Sequence, residues 1–255
     1  MMKKKILWCL LVLMFIVGVQ ISMPSQAAEQ YVSSVAWDTP QKVKGATFVA
    51  KQHKVGSRYL SKIVMKKNGR SRTILSGVEA AFVTNGKLLY YSKQTKQINS
   101  YSWKNTIYCY DIKSKKSKKI VSGTNYTVRG CSGAYLYCGQ DNWGDGVNLY
   151  AINIKTKKKK HMANYVGSVI VSNERVMTET NSGDANNNPI YIFNLNGSGK
   201  KKVADGCSAV IKKGKIYYVK INLKTRNFKV YQCSLKGKNK KAVTGWLKRI
   251  PSKYL

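Results

Sequence analysis

Apolar residues along this chain come in short runs separated by polar turns, and no segment sustains a helical period. Four of the runs align without gaps: Ile107-Tyr-Cys-Tyr-Asp-Ile, Leu149-Tyr-Ala-Ile-Asn-Ile, Ile190-Tyr-Ile-Phe-Asn-Leu and Val230-Tyr-Gln-Cys-Ser-Leu. Each is followed by a turn rich in Lys, Gly, Ser and Asn, then by a short apolar piece: Ile120-Val121, His161-Met162, Val203-Ala204 and Ala242-Val243. The position of Asp111 recurs as Asn153, Asn194 and Ser234, at intervals of 42, 41 and 40 residues. A fainter copy lies upstream, where Met65-Lys66-Lys67-Asn68-Gly69 leads to Thr73-Ile74-Leu75.

Before each strong copy stands a hairpin signal, two apolar runs around a polar turn. The four turns are Asn85-Gly86, Ser132-Gly133, Ser172-Asn173 and Lys213-Gly214. Each repeat therefore predicts four short strands, A to D, in 40–47 residues. The repeats fall at about 31–77, 78–123, 124–165, 166–205 and 206–245 of one domain, 29–255. In strand C both alternating sets of positions are largely apolar, as in Tyr108/Tyr110/Ile112 and Ile107. A sheet with one wet face alternates more cleanly. Burial on both faces is what sheets stacked around an axis provide, so the pattern predicts an all-β fold of about five four-stranded blades.

Lys215-Ile-Tyr-Tyr with Val230-Tyr-Gln-Cys-Ser-Leu, and Ile190-Tyr-Ile-Phe-Asn-Leu-Asn-Gly-Ser-Gly-Lys-Lys-Lys, resemble TolB-type and low-density-lipoprotein-receptor-type propeller repeats. The resemblance covers about residues 45–245 and carries no catalytic motif. It implies a bacterial exported propeller of a group whose functions are mostly unknown. Six blades are common in that group; a six-bladed or incomplete ring is the alternative here. The segment Tyr31–Trp37 and the tail Trp246–Ile250 are candidates to close the ring as a shared blade.

The first residues add an address. Lys3, Lys4 and Lys5 precede an apolar run from Ile6 to Val19, then Pro24 and Ser25-Gln26-Ala27. That is the three-part pattern of a signal peptide over residues 1–28. The sixteen residues from Ile6 to Ile21 would span roughly 24 Å as a helix. A bilayer core is roughly 30 Å thick, which favours cleavage over an uncleaved anchor. Membrane contact is expected only if the segment is retained.

Charge then sharpens the picture. The chain has 46 Lys and Arg against 10 Asp and Glu, a formal net charge of +36. Removing residues 1–28 takes three lysines and leaves 43 basic and 10 acidic residues, net +33. For an exported protein, nucleic acid is not the expected physiological partner; an anionic surface polymer or glycan, or a protein, is. The turns between strands C and D hold 21 of those 43 basic residues. They include Lys115, Lys116, Lys118, Lys119, Lys157, Lys158, Lys159, Lys160, Lys200, Lys201, Lys202, Lys240 and Lys241, the candidate polyanion site. Lysine in place of arginine fits diffuse attraction better than bidentate phosphate reading. The competing explanation is that lysines at strand edges keep sheets soluble and unpaired.

The loops between strands B and C emerge on the opposite face: Ser92–Thr106, Gly139–Asn148, Thr180–Pro189 and Lys220–Asn227. Trp103, Asp141, Trp143, Asp145 and Asp184 there make a candidate ligand site, aromatic platforms beside hydrogen-bonding groups. Asp141-Asn-Trp-Gly-Asp-Gly-Val-Asn has a calcium-loop look, but Trp143 occupies a required ligand position and the closing Glu is missing. No metal and no cofactor is expected. No carboxylate pair recurs at a spacing that forces proximity, and there is no GxSxG, HExxH or phosphate-binding glycine loop. A non-catalytic binding or scaffold propeller is therefore expected. A peptide or protein adaptor, a sensor domain and a glycan-processing enzyme are the rivals. The five cysteines beyond the leader, Cys109, Cys131, Cys138, Cys207 and Cys233, show no CxxC spacing and read as free, buried thiols.

Overall fold

The computed structural model describes residues 32–34, 38–56, 58–141, 146–172 and 174–254. The leader reading at residues 1–28, Trp143 and Asp145 fall outside the described residues. The described chain is all-β. The first sheet is built from β2 (Gln41–Val43), β3 (Ala46–Val55), β4 (Arg58–Lys67) and β5 (Arg70–Val78), in that order. The second runs β1 (Val32–Ser34), β6 (Phe82–Thr84), β7 (Leu88–Gln97), β8 (Trp103–Asp111) and β9 (Lys116–Thr124). A seven-stranded sheet follows, from β10 (Tyr126–Ser132), β11 (Tyr135–Asp141) and β12 (Val147–Asn153) through β13 (Lys159–Val171) to β14 (Arg175–Thr180), β15 (Pro189–Asn194) and β16 (Lys201–Asp205). The last sheet holds β17 (Cys207–Lys212), β18 (Lys215–Asn222), β19 (Asn227–Ser234) and β20 (Lys241–Ala242). Every described pairing is antiparallel between chain neighbours, except that β1 pairs with β6.

Four apolar clusters glue successive sheets face to face, because strands C are apolar on both sides. Tyr110 packs with Phe48, Ile63 and Leu89, while Ile107 packs with Val128, Leu136 and Ile152. Leu149 packs with Val166, Val176 and Phe193, and Ile190 with Ala209, Ile216 and Cys233. The two halves of the seven-stranded sheet are thus packed on each other although the ladder is continuous. The chain folds over within β13 at Tyr165, which is left-handed at φ 54°.

Three expectations are corrected. The sheets are not uniformly four-stranded: β1 adds a fifth strand, and β13 serves both as last strand of one hairpin set and first strand of the next. Among the described residues the tail does not pair with β1. Leu247 instead exchanges backbone bonds of 2.7 and 2.8 Å with Phe228, and Tyr254 packs on Tyr217 at 5.6 Å. The tail thereby caps the last sheet. Finally, Ser92–Thr106 is mostly strand, not loop: β7 and β8 stay paired as far as Gln97 and Trp103. Both faces of that extension are polar, so its sequence reads as a loop.

Candidate functional site

Antiparallel connections alternate between two ends of the sheets. At one end, here the turn face, lie β4–β5, β8–β9, β12–β13, β15–β16 and β19–β20. Their geometry explains the recurring Asp/Asn/Ser position. Asp111 accepts the amides of Lys113 and Ser114 at 2.9 and 2.8 Å, and Asn153 those of Lys155 and Thr156 at 3.0 and 2.9 Å. Asn194 holds Ser198 through its side-chain amide at 3.0 Å, and Ser234 accepts the amide of Lys238 at 3.1 Å. A short polar side chain reaching the residues that follow it, the backbone in three cases and the Ser198 hydroxyl in the fourth, shapes each of these turns. The backbone bonds of Ser114 and then Lys113 hold the exposed Asp111 carboxyl below the usual range.

All thirteen candidate lysines of this face are exposed. They are not equivalent. The Lys159 ammonium donates to the Tyr126 hydroxyl at 2.9 Å and lies 4.6 Å from the Tyr150 ring centre, a hydrogen bond that raises its pKa. Lys200 sits 4.3 Å over Tyr191, and Lys202 pairs with Asp205 at 2.7 Å, the one ion pair among the described residues. Burial, then repulsion from Lys118, pushes Lys157 down, so turns of neighbouring hairpins bring their ammonium groups within each other's field.

The other end, the loop face, carries the β3–β4, β7–β8, β11–β12, β14–β15 and β18–β19 hairpins. Trp103 lies in β8, where its amide donates to the Asn125 side chain at 2.9 Å; Asn125 in turn donates its amide to the Trp103 carbonyl at 2.8 Å. The Asp141 amide donates to the Asn125 carbonyl at 3.3 Å, so Asn125 brings Trp103 and Asp141 together. Asp184 is elsewhere and is consumed by its own loop, accepting from the Asn186 amide at 2.9 Å and the Asn187 side chain at 2.7 Å. Asn186 then staples that loop to the last sheet. It accepts the Ile221 amide at 2.6 Å and donates to the Ile221 carbonyl at 2.7 Å. The expected single site of tryptophans and aspartates is therefore split among the described residues.

The sequence reading missed a clamp between the first two sheets. The Arg58 guanidinium lies 4.4 Å over Trp103 and donates to the Gln94 side-chain oxygen at 2.6 Å. Gln94 also bonds the Glu79 side chain, whose pKa is raised by burial against the opposing pull of Gln94 and Arg58. Its only sequence signal was an arginine in a lysine-dominated chain. No group of three metal-ligating side chains occurs among the described residues. Cys109, Cys131, Cys138, Cys207 and Cys233 are not joined by disulfides and are buried or half-buried. Cys131 and Cys138 pair with Leu136 and Val128, not with each other.

The fold defines the class: a β-propeller-type protein, like TolB. TolB from Acinetobacter baumannii superposes with a TM-score of 0.53 at 12% identity, over 86% of this chain and 56% of that one. The β-propeller domain of the Trilobed protease from Pyrococcus furiosus, described as having an open velcro topology, gives 0.56 at 13% identity over 85% and 71%. The acylaminoacyl peptidase of Pyrococcus horikoshii gives 0.55 at 12% over 85% and 39%. This chain thus spans about half the length of the TolB it matches. No protein-family model and no curated protein matches the sequence.

Proposed function

We propose that this chain is an exported, non-catalytic binding or scaffold propeller of about five blade-like units. Its turn face engages an anionic surface polymer or glycan. The observation that carries the reading is the convergence of five lysine turns at one end of the sheets, with Lys118 and Lys157 close enough to repel. A bound polyanion relieves that repulsion. The charge is diffuse, so affinity falls steeply with salt as the screening length shrinks from about 10 Å at 0.1 M to about 3 Å at 1 M.

The test compares two sets of four substitutions by binding to a soluble polyanion such as polyphosphate. Lys116, Lys118, Lys158 and Lys160 to Ser act on the turn face; Lys159 is left in place because it braces Tyr126. Lys93, Lys96, Lys104 and Lys224 to Ser act on the loop face. The first set should weaken binding clearly more than the second. Equal losses, or none, would leave the turn lysines as solubilising edges.

A further inference from the structure

The bulky apolar residues that remain exposed are not scattered. Val55 and Tyr59 flank the β3–β4 tip, Ile98 and Tyr101 form the β7–β8 tip, and Leu223 opens the β18–β19 tip. Tyr101 is 76% exposed, Leu223 68%, Tyr59 57% and Ile98 51%. All five side chains belong to the loop face. Tyr165, also exposed, sits at the bend of β13 on the same face, and exposed Trp246 lies in the tail beside Leu247, which pairs with Phe228 near the start of β19; among the described residues none of the lysine turns carries such a side chain.

Charge follows the same division. Residues 51–62, 93–106 and 220–227, which make these three tips, hold ten Lys and Arg and no Asp or Glu. Residues 139–148 and 180–189, the corresponding hairpin ends of the seven-stranded sheet, hold Asp141, Asp145 and Asp184 and no Lys or Arg. The three apolar tips therefore carry cations and no acids, whereas the two hairpin ends of the seven-stranded sheet carry acids and no cations. The first two tips are also held together: Arg58, beside Tyr59, is stacked on Trp103 and bonded to Gln94 of the neighbouring hairpin.

We infer that this part of the loop face docks on a lipid bilayer bearing anionic headgroups, with Val55, Tyr59, Ile98, Tyr101 and Leu223 entering the interfacial region. Aromatic and aliphatic side chains surrounded by Lys and Arg match that environment. The rings and branched chains sit among the glycerol and upper acyl groups, while the ammonium groups stay at the headgroup phosphates. The exposed residues sit at hairpin ends on one side of the sheets, which suits insertion into a surface better than enclosure of a small ligand. A glycan stacks on aromatic faces but gives Val55, Ile98 and Leu223 nothing to do. The acidic hairpin ends of the seven-stranded sheet are repelled by the same headgroups, so the molecule tilts onto its first two sheets and its last. The site is independent of the lysine turns, which stay free on the opposite end.

The experiment is co-sedimentation of the full chain with vesicles of phosphatidylcholine alone and of phosphatidylcholine mixed with phosphatidylglycerol, at low and high salt. The parent should prefer the mixed vesicles and retain binding at a salt concentration that abolishes binding to polyphosphate. Combined Tyr59→Ser, Ile98→Ser and Tyr101→Ser should lower vesicle partitioning by about tenfold or more, with polyphosphate affinity and thermal midpoint unchanged. The turn-face lysine set should do the reverse. Any contribution from residues 6–21 is common to parent and variants, so it cancels in the comparison. In a second arm, Tyr101→Trp adds an emitter that bromine-labelled acyl chains should quench in the mixed vesicles. Equal partitioning of parent and triple variant at high salt, or no added quenching at position 101, overturns the inference. Loss of vesicle binding through the turn-face set alone also overturns it.

Discussion

The two ends of these sheets are made by the same repeat and treat it differently. At the turn face four of the five connections repeat one design, and β4–β5 is a tighter turn at Asn68-Gly69. Asp111, Asn153 and Ser234 accept amides that follow them, Asn194 donates to the Ser198 hydroxyl, and lysines fill much of the rest. At the loop face the five hairpin ends have diverged: two basic and aromatic, one acidic in sequence around Asp141, one stapled by Asn186, one ending in an exposed leucine. Turn chemistry constrains a short connection to a few side chains. A hairpin end that projects past its neighbours has no such duty, and its residues are free to take on contacts with something outside the chain. Uniformity therefore marks the end where geometry dictates sequence, and divergence the end where individual side chains differ in purpose.

That contrast can be broken first from inside. Leu149 is fully buried in the cluster between the halves of the seven-stranded sheet. Leu149→Ala should cost about 2–5 kcal/mol, and denaturant titration should show both ends failing together. Loss of vesicle binding well before loss of polyphosphate binding in the same titration would show the two ends to be energetically separate. A smaller effect separates the ends directly. Asn186→Ala removes a side chain that both donates to and accepts from the Ile221 backbone, leaving those groups short of partners, and should cost about 2–3 kcal/mol. Asn153→Ala removes only a turn cap whose amides are open to water, and should cost about 1 kcal/mol. Equal costs, read from urea midpoints, would contradict the claim that the loop end is individually built.

The third prediction is a pH dependence confined to the loop face. Burial raises the Glu79 pKa above its ordinary 4.5. The neutral form is therefore favoured in the folded protein. The stability linked to it is fully present below the ordinary value and is lost as pH rises through the raised one. Glu79→Gln keeps the neutral form at every pH. It should be at least as stable as the parent at pH 7, with the difference closing as pH falls toward 4.5. Thermal midpoints across that range check this, and a variant less stable at neutral pH refutes it. The smallest effect belongs to the turn face. Lys115 is left-handed, at φ 57°. Lys115→Gly should raise stability by up to about 1 kcal/mol through relief of that conformation, while lowering polyanion affinity slightly. A loss of stability would mean that the lysine side chain itself holds the turn.

Much of this was legible along the chain because strand periodicity and turn chemistry are local. The copies beginning at Ile107, Leu149, Ile190 and Val230 are all strands or run into them, and their two-sided apolar pattern became packing on both sheet faces. The lysine turns were legible for the same reason, since a connection between two recognised strands must lie at their end. The clamp of Arg58 on Trp103 was not, because 45 residues separate its members and nothing local to either predicts the meeting. Nor was the strand character of Lys93–Gln97, where polar residues on both faces hide a ladder that only the partner strand completes.

The sequence by itself determined that this protein is all-β, repetitive and strongly basic. Each of those properties resides in residue spacing or composition. Only the tertiary structure decided that β1 pairs with β6, that β13 serves two hairpin sets, that the tail folds back on the last sheet, and that Asp184 is spent within its loop. It also decided which hydrophobic residues are left outside. Val55, Tyr59, Ile98, Tyr101 and Leu223 look like core residues in the sequence, and they are exposed at the hairpin ends, outside the apolar clusters that join the sheets.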